Sequence, residues 1–156
     1  MNWFISLLRK LAWHSRVIPD RLNTDKPYLT RHYLIGGPKH RWFTVCLHEF
    51  HCSDPTDLHD HPFSYLTLVL SGGYWEDTSE GRFWRAPGHL RYRSARSLHR
   101  IELDPSSGPV FTLFFMGRRV RDWGFVKQAH WIDHDTYLKG LACSSSTWKV
   151  TDSSKK

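Results

Sequence analysis

Between residues 41 and 131 the chain alternates short runs of aromatic and β-branched residues with turn-forming clusters, and this rhythm leaves few folds open. Residues 41–50 are rich in Trp, Phe, Thr and Val, and residues 63–70 form a second such run, stopped by Ser71-Gly72-Gly73. Residues 74–77 return before the turn Thr78-Ser79-Glu80-Gly81. Residues 58–61, 82–85, 90–93, 98–103 and 110–116 are further short segments, and 123–131 adds another. Branched and aromatic side chains pack well on a pleated surface, whereas Gly, Pro, Ser and Asp punctuate it. Short strands with turn signals every ~8–12 residues predict an all-β fold, an antiparallel sandwich or barrel.

Helical periodicity is confined to the two ends. Trp3, Phe4, Leu7, Leu8 and Leu11 recur at helical spacing, with Arg9 and Lys10 between them. They predict a short amphipathic helix docked on the body, with a partner- or membrane-surface role as the alternative. Its charges follow the apolar run and Trp13-His14-Ser15-Arg16 lacks small residues, unlike a secretory signal. No apolar run approaches the ~20 residues that span a bilayer. Residues 17–40 hold Pro19, Pro27, Gly36, Gly37 and Pro38 and read as a connecting arm, with one strand-like piece at Tyr33-Leu34-Ile35. Residues 135–139 have helical character, and the polar stretch 144–156 reads as frayed. The expected organisation is therefore an N-terminal helix and arm (1–40), a β-barrel (41–132) and a partly disordered C-terminal extension (133–156).

A length of 156 residues suits one domain, and 15% aromatic residues exclude a disordered chain or a coiled coil. The three cysteines are odd in number and lack paired zinc-finger spacing. That argues against a disulfide framework and for a reducing compartment, the cytoplasm. Eleven histidines point toward metal or proton chemistry.

The informative tripeptide is His59-Asp60-His61. Residues i and i+2 of a strand share a face, so the two imidazoles can meet one cation while Asp60 turns away. Pro62 lacks an N–H and must end the strand, bulge it or sit at an edge. His99 is placed to supply a third nitrogen from a neighbouring strand. Three neutral nitrogens with open positions beyond them make a catalytic metal site. The bland alternative is a set of surface or hydrogen-bonded core histidines, and a lone H-x-H weighs little against it.

The surrounding spacing weighs more. Ser53, five residues, His59-Asp60-His61, three residues, Tyr65, six residues and Gly72 form one pattern; Gly81, five residues and Pro87-Gly88 form a second. Together they resemble the motifs of the cupin superfamily. Ser53 stands where that family has Gly, and Tyr65 where it has Glu. Tyr92 occupies the usual position of the second-motif His, and His99, eleven residues after Gly88, matches the looser form of small bacterial and phage cupins. The resemblance spans 41–116. It implies a cupin-type double-stranded β-helix, a jelly-roll barrel, with the short amphipathic helix in front.

With Tyr65 in the Glu position, the ligand set is similar to that of thiol dioxygenases. The resemblance implies one divalent transition metal on His59, His61 and His99, Fe(II) in first place, with Zn, Ni, Co or Mn also suited to three nitrogens. A neutral ligand set leaves the ion's charge uncompensated and favours a small anionic or polar substrate. Tyr74 and Glu76 share a strand face. Tyr65 or Tyr74 would orient substrate and oxygen, and Glu76 or an Arg would hold the substrate's polar end. The implied activity is oxidation of a small polar or anionic substrate by dioxygen. The alternatives are a non-catalytic module sensing an anionic metabolite, and a phage or mobile-element protein associated with nucleic acid.

Upstream, Cys46, His48 and Phe50 share a face, with Cys46 read first as a small buried hydrophobe. Arg82, Arg85, Arg91, Arg93, Arg96 and Arg100 crowd into nineteen residues of a chain with net charge +7. They suit an anionic partner or a solvated outer face, with nucleic acid the minority reading. Cupins commonly pair through an edge strand, which makes a homodimer the assembly the resemblance allows.

Overall fold

Val110–Met116 carries residues to bury on both faces, and the chain accordingly places it in the middle of a sheet. The computed structural model describes residues 3–21, 23, 25–39 and 42–146. Within them run α1 (Trp3–Leu11), β1 (His14–Pro19), β2 (Pro27–Ile35), β3 (Thr44–Phe50), β4 (Leu58–His59), β5 (Tyr65–Ser71) and β6 (Tyr74–Thr78). There follow β7 (Gly81–Arg85), β8 (Leu90–Arg93), β9 (His99–Leu103), β10 (Val110–Met116), β11 (Gly124–Lys127), β12 (His130–Asp133) and α2 (His134–Ser146). One sheet has the order β1-β2-β3-β10-β5-β8 and the other β12-β11-β4-β9-β6-β7. All pairings are antiparallel. The sequential neighbours β3 and β5 are separated by β10, and β4 and β6 by β9, which is jelly-roll connectivity.

Alternating burial drives this arrangement. In β5, Tyr65, Thr67 and Val69 are buried while Leu66, Leu68 and Leu70 are half-buried. Tyr65 joins Tyr33, Cys46, Phe114 and Met116 in one apolar cluster; Tyr74, Val69, Ile101 and Val110 form a second. Each fully buried ring or branched side chain contributes roughly 1.5–3 kcal/mol over its exposed state. Gly72 turns β5 into β6 at a φ of +70°, and a Cβ there would lie 2.7 Å from the Pro109 carbonyl oxygen, so both conformation and space demand glycine.

Three expectations need correction. The arm is a hairpin: β1 pairs with β2 from His14↔Tyr33 to Pro19↔Pro27, and β2 pairs with β3, so the sheet extends well before residue 41. The prolines misled because Pro19 ends β1 and Pro27 begins β2, and a missing N–H costs little at a strand end. The N-terminal helix forms, but it docks through Ile5 and Leu8 onto Leu47 and Phe111. Trp3 and Leu11 of the anticipated stripe stay 74% and 61% exposed. At the C-terminus, 123–131 resolves into the hairpin β11–β12, and α2 runs through the polar stretch to Ser146. Residues 147–156, part of the expected disordered extension, lie outside the described residues. No helix among the described residues is long and apolar enough to cross a membrane.

Candidate metal centre

β4 is two residues long, and its pairing decides where His59 points. His59 faces His99 of β9 on one side and Phe125 of β11 on the other. Direct cross-strand partners hold their Cβ atoms about 4.5–5.5 Å apart. Asp60 turns the opposite way. Its buried carboxylate accepts from the Gly124 backbone N–H at 2.8 Å, from Trp131 Nε1 at 3.0 Å and from the Arg121 guanidinium. The His61 N–H donates to the Ala95 carbonyl at 3.2 Å. With Asp60 pinned outward, His59 and His61 are both directed toward His99.

One ligand atom from each of His59, His61 and His99 lies within 4.8 Å of the others. Nε2 of His61 and Nε2 of His99 are 2.8 Å apart. Two nitrogens bound to one metal at ~2.1 Å and at right angles would stand about 3.0 Å apart, so this pair already has ligand spacing. The His59 Nδ1 atom is buried with no hydrogen-bond partner among the described residues. These observations fit a cation shared by the three rings better than a set of satisfied core histidines.

Outer contacts fix the chemistry of the rings. Oε1 of Glu76 lies 3.2 Å from Nδ1 of His99. A carboxylate only accepts, so Nδ1 carries the hydrogen and Nε2 offers its lone pair to the centre. The Tyr65 hydroxyl, 3.1 Å from that Nε2, is then the donor. Burial above all, with the proximity of the other rings and of Arg21 adding to it, holds both His59 and His61 well below the ordinary histidine range. Both rings are neutral near pH 7, the state a metal requires. Burial would raise the Glu76 carboxyl, but hydrogen bonds from His99, Arg93 and Arg85 outweigh it and hold the group well below the usual carboxylate range. Burial and the Glu76 charge push the Tyr65 phenol up, so it stays protonated.

The three predicted ligands are therefore brought together, with Tyr65 beside them. Glu76 stands behind His99, its oxygens engaged by Arg85 Nε at 2.7 Å and Arg93 Nη2 at 2.7 Å as well as the ring. Tyr74 packs into the apolar cluster with Val69, Ile101 and Val110, its ring centroid 6.2 Å from that of Phe50. Cys46 is fully buried, and burial pushes its thiol up to about 12, as befits an inert hydrophobe. His48 stacks on Phe114 at 4.3 Å between ring centroids.

The histidines open into a cavity of about 510 Å³ whose walls include Leu29, Phe50, Phe63, Phe114 and Trp123. Arg21 and Arg31 also line it, and sequence reasoning passed over both because they fall in the presumed arm. The crowded arginines it singled out divide otherwise. Arg85 and Arg93 are spent on Glu76, Arg82 and Arg100 on Asp77 and Glu102, while Arg91 and Arg96 are exposed.

No family model matches the chain, and no curated protein matches its sequence. Solved structures do. The chain is similar to a cupin-2 domain protein of Rhodospirillum rubrum, with a TM-score of 0.57 and 16% identity over 83% of this chain and 89% of that one. It is similar to a sugar phosphate isomerase of the cupin superfamily from Silicibacter pomeroyi, with a TM-score of 0.54 and 15% identity over 78% and 88% of the two chains. A DMSP lyase of Ruegeria pomeroyi gives a TM-score of 0.54 and 15% identity over 67% of this chain and 55% of the lyase. At such identities the likeness is one of fold and not of substrate.

Proposed function

We propose, from the premise that this chain has the cupin fold its motif spacing implied, that it is a mononuclear non-haem metal enzyme oxidising a small polar or anionic substrate with dioxygen. One observation carries the reading. Three imidazoles converge, one ligand atom of each within 4.8 Å of the others, on the wall of a cavity, without a carboxylate among them. A bound Fe(II) would supply dioxygen activation, and Zn, Ni, Co or Mn would suit the same nitrogens with other chemistry.

The chain's own groups have separable tasks. His59, His61 and His99 would hold the ion. With the His99 Nε2 lone pair given to the ion, the Tyr65 hydroxyl beside it would be free to turn its hydrogen to substrate or oxygen at the open side. Glu76 would act through His99, fixing its tautomer and ring orientation, while Arg85 and Arg93 keep the carboxylate ionised. Tyr74 contributes packing beneath the cavity wall. Cys46 and Cys52 are free thiols, which supports a reducing compartment, the cytoplasm.

The test is metal analysis of protein purified without an affinity tag, followed by oxygen uptake after Fe(II) loading with small thiols and carboxylates. Substrate-dependent uptake supports the reading. Stoichiometric metal with ligand binding but no turnover with any ion would replace it with the sensing module.

A further inference from the structure

Arg85, Arg93 and Arg100 hold carboxylates at hydrogen-bond distance, whereas the half-buried Arg21 and Arg31 do not, and both line the cavity. Arg21 lies in the β1–β2 connection and Arg31 in the middle of β2. The Arg21 Nη1 atom is buried with no hydrogen-bond partner among the described residues. The Asp54 carboxylate, 4.0 Å away, offsets its charge without hydrogen-bonding it; one Asp54 oxygen accepts from the Tyr28 hydroxyl at 2.5 Å and the other from the Ile101 N–H at 2.8 Å. The rest of the Arg21 guanidinium is walled by the rings of Tyr28, Trp123 and Phe125, at 5.3, 5.3 and 5.1 Å. The Arg31 Nε atom is likewise buried and unpartnered, and no ion pair of Arg31 is found among the described residues. A desolvated cationic donor without an acceptor is expensive. Asp20 and Asp54 also line the cavity, but neither hydrogen-bonds these two atoms, which leaves both donors open to an anionic ligand.

We infer that Arg21 and Arg31 form an oxyanion clamp for the substrate of the adjoining metal centre. The inference rests on that reading of the site and narrows the substrate class. The ligand is a small molecule with one carboxylate or phosphoryl end, held by the guanidiniums, and an apolar body. The body follows from the walls: around Leu29, Phe50, Phe63 and Phe114 there is hydrocarbon and little to hydrogen-bond. Two further cavity nitrogens lack hydrogen-bond partners among the described residues, Nε2 of His48 and Nδ1 of the metal-site His59. A polyhydroxylated ligand would bury hydroxyls without partners, which costs more than an apolar body gains. The clamp and the three histidines line the same cavity, so an oxyanion-bearing molecule can reach both with opposite ends.

The test is calorimetric titration of the full chain, metal-free and Zn-loaded, with phenylacetate, phenyl phosphate, benzyl alcohol and glucose 6-phosphate. We expect phenylacetate or phenyl phosphate to bind, with the stronger of the two naming the oxyanion. Benzyl alcohol should not bind, and glucose 6-phosphate should bind at least tenfold more weakly. R21M and R31M should each weaken binding at least tenfold with Zn stoichiometry intact. R31M should leave the melting temperature unchanged, and R21M should lower it only slightly, because the fold gives Arg21 no more than the distant Asp54 charge and the ring contacts. Equal binding of benzyl alcohol, absence of binding by both anions, binding indifferent to both substitutions, or a large melting loss in both variants would overturn the clamp. The metal-free titration separates the two readings, since loss of the metal site would leave anion binding in place.

Discussion

The cavity has two polar walls, and the chain treats them oppositely. On the histidine wall the groups that orient the ligands are held by the fold itself, although Nδ1 of His59 and Nη2 of Arg85 have no partner among the described residues. Asp60 is locked by Gly124, Trp131 and Arg121, and His99 is backed by Glu76, which two arginines hold in turn. On the arginine wall Arg21 and Arg31 carry buried nitrogens with nothing to bind. The first wall is organised before any ligand arrives; the second is completed only by one. Groups pre-arranged by their neighbours suit the tight geometry of a metal, whereas unspent donors suit recognition of what is to be transformed.

Experiments can break this contrast, and the largest effect should come from the ligands. Replacing both His59 and His61 by Ala should abolish stoichiometric metal, by elemental analysis, while β-rich circular dichroism persists. Retained metal would move the centre elsewhere. Next is E76A, which strands Arg85 and Arg93 as buried charges. We expect a loss of about 3–5 kcal/mol in denaturant unfolding, the usual cost of halving a buried ion pair. E76Q, which keeps the shape, should be milder in stability yet still weaken metal binding by ~10–100-fold.

A pH series sharpens the contrast further. Burial, with the Arg31 and His32 charges, holds His48 well below the ordinary histidine range. The unfolded chain takes up a proton there below about pH 6.5 and the folded chain does not, so stability falls as pH drops below that value and is flat above it. The slope should reach ~1.4 kcal/mol per pH unit for one such group, and H48F should remove one proton from it. Y65F should cost least, about 1 kcal/mol of stability, with its larger effect on turnover of the loaded enzyme.

The histidine wall was legible in the sequence because its signal is local. The period of two puts His59 and His61 on one face, and the spacing to Tyr65, Gly72 and Pro87 repeats a known frame. His99 and Glu76 were found because each lies on a strand of strong pattern. What Glu76 does was not legible. Its partners Arg85 and Arg93 come from β7, the paired neighbour of β6, and from β8, at the edge of the opposite sheet, so the packing of the two sheets brings them together. The arginine wall was hidden twice: Pro19 and Pro27 disguised a hairpin as an arm, and no local spacing marks an arginine that lacks a partner. The docking face of the helix was legible in part: Leu8 of the predicted stripe does sit against Leu47 and Phe111, but Ile5 joins it there while Trp3 and Leu11 stay exposed.

The two-residue strand that carries His59 has its neighbours at positions 99 and 125. During synthesis, therefore, no earlier stretch of polypeptide can template it. The imidazoles can meet only once residue 99 has been made, and both edges of the strand are covered only once residue 125 has followed, so capture of the ion waits on chain far downstream of His59.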